Sequence, residues 1–65
     1  MTTYFEKDGI KIGEKVVYNE WNYTVFAIWN DGLINRVELV KTFENGLSDV
    51  VRLRLDEVKA LEKAL

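Results

Sequence analysis

Three short pairs divide this chain: Asp8-Gly9, Asp31-Gly32 and Asn45-Gly46. Each is followed by an apolar residue, Ile10, Leu33 or Leu47, that opens a new run. Glycine enters positive φ at little steric cost, and Asp or Asn tolerates the left-handed region. Such a pair between apolar runs is the strongest short-range signal for a β-hairpin. The chain therefore reads as a small antiparallel β meander. That reading assigns a fold class and carries no chemistry.

The runs between these turns support it. Tyr4-Phe5 and Ile10-Lys11-Ile12 are short extended segments on either side of Asp8-Gly9. Lys15 to Asn19 is rich in β-branched and aromatic residues, as strands are. Asn19-Glu20-Trp21-Asn22 reads as a connection. Tyr23 to Trp29 is almost wholly apolar, so cover on both of its faces is expected. Leu33 to Lys41 returns, with Val37 and Leu39 on one side and Arg36 and Glu38 on the other. Thr42 to Asp49 is a loop around Asn45-Gly46. Val51, Leu53 and Leu55 alternate with Arg52 and Arg54, which predicts three buried residues and two exposed ones. Asp56 then reads as a helix N-cap, with Glu57 in the first turn. Val58, Leu61 and Leu65 would form the apolar face of about two helical turns.

Composition narrows the function classes. A chain of 65 residues makes one domain, and a domain this small buries only about 60% of its unfolded surface. Its 48% hydrophobic content separates it from charge-dominated disordered chains. Without cysteine or histidine it has no disulfide, no thiolate zinc site, and neither the commonest metal ligand nor the commonest general base. No cofactor is expected. The net charge of −2 lacks the basic excess of a strong nucleic-acid binder. The first residues lack a signal-peptide pattern, and no apolar run approaches the length of a membrane span. The expectation is a soluble cytoplasmic protein. Small size and frequent Lys, Glu and Asn suggest a bacterial or phage type.

The stretch Gly13-Glu14-Lys15-Val16, followed by Thr24-Val25-Phe26-Ala27-Ile28, resembles the first two strands of small SH3-like barrels of the KOW and Tudor type. The resemblance runs from Lys11 to Leu55. It implies a mainly β fold: a small antiparallel SH3-like barrel or bent sheet with one C-terminal helix. Such barrels end in a short strand where this chain has a helix, so Tyr4-Phe5 or Ile10–Ile12 is expected to supply the missing edge.

No catalytic constellation is present, and the chain is expected not to be an enzyme. Ser48 is the only serine, and Asp56-Glu57, the only adjacent acidic pair, fits a helix start. The aromatics are the leading functional candidates. Trp21, with Tyr23, Tyr18 and Trp29, would line a groove for a protein or peptide partner. The alternative is that Trp21 caps the barrel end and Trp29 fills the core. Arg36, Arg52 and Arg54 form a second candidate, a face for nucleic acid, against the plainer reading of a solvated face paired to Glu38. A third reading is a self-associating structural subunit. Monomer and homodimer both remain open.

Overall fold

In the structure, a computed structural model that describes residues 1–64, strands dominate and the sheets are antiparallel. Three short strands come first: β1 (Thr2–Tyr4), β2 (Glu6–Lys7) and β3 (Ile10–Lys11). The meander follows as β4 (Lys15–Tyr18), β5 (Trp21–Asn30), β6 (Asn35–Thr42) and β7 (Ser48–Arg54). One short helix, α1 (Leu55–Lys59), comes last. β2 and β3 form their own hairpin, with Lys7 opposite Ile10 across Asp8-Gly9. Both turn residues have positive φ, 52° and 86°, as a two-residue type I′ turn requires.

β5 is the longest strand and serves three neighbours. One edge pairs with β6 from Thr24 to Asn30. The other edge is shared: β4 takes Trp21 to Thr24, and β1 takes Ile28 to Asn30. Between them the register against β6 slips at Phe26, where Val25 faces Leu39 and Ala27 faces Glu38. An extra residue of this kind bends a strand and increases its twist. It also changes which residues face inward. Tyr23 and Val25 are buried, and after the bulge Ile28 is buried in place of Ala27. The core also contains Val37 and Leu39 from β6, Val16, Ile10, Leu55 and Val58.

The sheet is not a closed barrel. Its gap is spanned by α1 and the residues after it. Leu55 and Val58 of the helix enter the core. The chain then returns to β4, where the Val17 N–H donates to the Glu62 carbonyl (2.8 Å) and the Ala64 N–H to the Lys15 carbonyl (2.9 Å). So the C-terminal tail lies along the edge of β4, and the N-terminal β1 lies on β5. Of the two N-terminal segments expected to supply an edge, the first does so in part: Tyr4 lies in β1, the edge strand on β5, whereas Ile10-Lys11 pairs only with β2, and the tail covers the edge of β4.

Other expectations change for local reasons. Trp21 is not in a turn: the turn is Asn19-Glu20, with φ of 51° and 71°, and Trp21 opens β5 opposite Tyr18. A Glu stands where a type I′ turn prefers glycine, so the connection expected over Asn19–Asn22 proves two residues shorter than the sequence suggests. Leu33 and Leu47 do not open strands but are exposed in the two hairpin loops. The polar ends of these loops use side chains: Asn30 Oδ1 accepts the Gly32 N–H (2.8 Å), and Gly32 has φ of 102°. Val51 and Leu53 are only half-buried, because β7 is an edge strand with one neighbour, β6. Trp29 is likewise half-buried and does not fill the core.

The helix begins two residues earlier than an Asp56 N-cap implies. Its N-cap is Arg54, whose N–H donates to the Glu57 carboxylate (3.1 Å), while Asp56 lies inside the first turn. It ends at Lys59, so Leu61 packs on the core from beyond the helix, and Leu65 lies outside the described residues.

Two stability outcomes are expected. Glu20→Gly relieves a left-handed non-glycine residue and should raise stability by about 0.5–1 kcal/mol, after the entropy that glycine adds to the unfolded chain. A lower denaturation midpoint would show that Glu20 is not strained. Leu39→Ala, at a fully buried site, should cost about 2–5 kcal/mol. Leu53→Ala at the edge should cost distinctly less, and equal losses would show that β7 is packed as tightly as β6.

Candidate functional site

The inner face of the sheet extends beyond the core at one end. Period-two alternation puts Trp21 and Tyr23 on the same face as Val25, and Lys41 on the same face as Leu39. Here the sheet runs past the last aliphatic layer, and aromatic and charged groups replace it. The Lys41 Nζ lies 4.5 Å from the Trp21 ring centroid and 3.9 Å from that of Phe43. An ammonium over an aromatic face is attracted by the ring quadrupole, by about 0.5–1 kcal/mol at an exposed site. Lys41 makes no ion pair among the described residues, so its cation is held by the two rings. Trp21 is 56% exposed and Phe43 43% exposed.

Tyr23 supports this end from below. Its ring is buried, and its hydroxyl donates to the Asp49 carboxylate at 2.6 Å. That hydrogen bond raises the Tyr23 pKa above its ordinary value, with burial and the Asp49 charge adding to it. The bond ties β5 to β7 across β6, where Asp49 faces Lys41. Tyr18, half-buried, packs edge-on to Tyr23 with 5.7 Å between ring centroids.

The structure therefore brings together three of the four aromatics singled out in the sequence: Tyr18, Trp21 and Tyr23. Trp29 is not with them. It lies beyond the bulge, on the outer face, and lines a groove with Met1 and Phe26. Two residues of the cluster were not foreseen, Lys41 and Phe43. Phe43 reads from sequence as a loop residue, and a large aromatic opening a polar loop was the available signal. Nothing in the sequence alone places Lys41 between two rings, since that depends on the β5–β6 register.

The three arginines do share the outer face. Arg36 stands opposite Arg54, and Arg52 opposite Glu38. Each guanidinium already meets a carboxylate. Arg52 pairs with Glu38 at 3.0 Å, and Arg54 with Glu57 at 3.4 Å and Asp56 at 3.8 Å. Arg36 pairs with Asp31. Asp31 also accepts the N–H groups of Leu33 (2.9 Å) and Ile34 (3.0 Å). The Arg36 hydrogen bond, followed by these two backbone donors, holds the Asp31 carboxyl well below the usual carboxylate range.

No helix among the described residues is long and apolar enough to cross a membrane. The chain matches no protein-family model, and no curated protein or solved structure matches it.

Asp31 sets a pH dependence with a definite sign. Its pKa is lower in the folded state, so the unfolded chain binds more protons and stability rises with pH across this range. The contribution is complete above the ordinary carboxylate pKa of about 4 and is lost as the pH falls toward the folded-state value. Asp31→Asn should therefore lower the denaturation midpoint at neutral pH, and the gap from the parent should narrow toward about pH 2. A gap that stays constant with pH would show that the charge of Asp31 contributes nothing.

Proposed function

We propose that this domain is a non-catalytic binding module that takes a protein or peptide segment on the Trp21–Lys41–Phe43 end of its sheet. The observation that carries the reading is the placement of Lys41 between two exposed rings. Large exposed aromatics are costly to leave in water, and they dominate binding energy where they are held rigid. Here the rings are held by strand β5, by the start of the β6–β7 loop, and by the shared cation. The neighbouring Asp49 carboxylate and the Lys41 ammonium supply one acceptor and one donor for a bound backbone. The absence of histidine and cysteine from the chain supports a non-catalytic role.

We read the scaffold as SH3-like. What supports this is the path of the chain: β4 to β7 run as a meander, α1 follows, and the tail returns to β4. The arginine face does not carry the proposal, because its guanidinium groups are matched by carboxylates.

Trp21→Ala and Phe43→Ala should leave the fold intact and weaken partner binding by about 2 kcal/mol or more if the rings are hot spots. Partners captured from the native host by the parent protein should be lost with both variants, as read by mass spectrometry. Retention by both folded variants would overturn the site. A captured nucleic acid whose affinity falls steeply with salt would point to the arginine face instead.

A further inference from the structure

The outer face of the sheet carries an apolar surface that the fold leaves uncovered. The bulge turns Phe26 away from the core, and its side chain is 64% exposed. On one side of it lies a groove of about 430 Å³, lined by Met1, Thr3, Ala27 and Trp29, with the Arg52–Glu38 ion pair on its wall. On the other side lies a second, more polar hollow that Phe26 also borders, next to Thr24 and Val40. Phe26 is thus a ridge between two depressions on one sheet face.

We propose that this face joins two copies of the chain about a two-fold axis, with Phe26 of each copy seated in the apolar groove of the other. A ridge beside a groove on the same surface is self-complementary, which is what an isologous contact needs. The groove is ample for a phenyl ring, since a cavity of about 150 Å³ already accepts benzene. Charge favours a second copy over a charged partner. The groove wall bears the Arg52–Glu38 pair, and Arg36 and Arg54 on the same face are each matched by a carboxylate, so two such faces meet without net repulsion. A strongly acidic or basic partner finds no net charge there. Strands β5, β6 and β7, of 10, 8 and 7 residues, with the three-residue β1 beside them, make a face on the scale of a weak, transient contact. A dissociation constant between about 1 μM and 1 mM is expected. The apolar groove lies on the opposite sheet face from Trp21, while the polar hollow beside Phe26 reaches Lys41, so Thr3→Arg, at a groove residue that does not border that hollow, separates the two proposals.

Sedimentation equilibrium of the full chain over this concentration range is the test. The parent should pass from monomer to dimer and form no larger species. Backbone amide shifts that change with concentration should fall on β1, β5 and the facing residues of β6 and β7. Phe26→Asp should weaken dimerisation at least tenfold while circular dichroism stays unchanged. Thr3→Arg, at an exposed groove residue, should do the same and decides the matter if Phe26→Asp fails to fold. A parent that stays monomeric to about 1 mM, a dimer that survives either folded variant, growth beyond the dimer, or shifts centred on another surface would each overturn the proposal.

Discussion

The bulge at Phe26 organises both faces of this sheet. A single regular strand from Trp21 to Asn30 would put residues 21, 23, 25, 27 and 29 on one face. The extra residue moves the inward phase, so Ile28 follows Val25 into the core and Trp29 goes to the other side. The same irregularity falls where the far edge of β5 changes partner. The Gly13 N–H donates to the Val25 carbonyl at 2.9 Å, and two residues past the bulge Ile28 meets Tyr4 of β1. A strand that must bend to serve two short partners concentrates its bend at one point.

That bend leaves a surface on each side of the sheet. On the inner side, the core ends before the strands do, and the overhang is filled by Tyr18, Tyr23, Trp21, Lys41 and Phe43. On the outer side, Phe26 and Trp29 stand beside ion-paired arginines. A chain this small buries a limited fraction of its surface, so some of its large apolar groups must remain at the boundary. The two surfaces differ in chemistry. The inner overhang offers a cation flanked by two rings, whereas the outer face offers a ridge, a groove and balanced charge.

Closure is achieved without a complete barrel ladder. The single-turn α1 spans from β7 toward β4 and buries Leu55 and Val58, and two backbone hydrogen bonds from the tail finish the work. A helix of five residues is not stable alone. It exists here because its apolar residues plug the gap and because Glu57 satisfies the N–H of Arg54. Lys63 adds an ion pair to Glu14 at 3.0 Å, which holds the tail near the start of β4.

Local chemistry was sufficient to read the turns at Asp8-Gly9, Asp31-Gly32 and Asn45-Gly46, the alternation of Val37 and Leu39, and the change of period after Leu55. Each depends on residues close together in the chain, where backbone sterics and side-chain spacing act directly. The connection at Asn19-Glu20 was legible but drawn two residues too long, because its second residue has a steric cost that the tertiary pairing of β4 with β5 offsets. The site was half legible: Trp21 was recognised by its polar setting, while Lys41 and Phe43 joined it only through the β5–β6 register. Trp29 was separated from Trp21 by a bulge that no local pattern announces, since an almost wholly apolar run has no alternation to reveal a shift of phase. Turn residues and local alternation specify an antiparallel, turn-punctuated β chain with a C-terminal helical turn. Which aromatic rings meet is settled in three dimensions, because register, bulge and partner exchange are set by packing between distant segments.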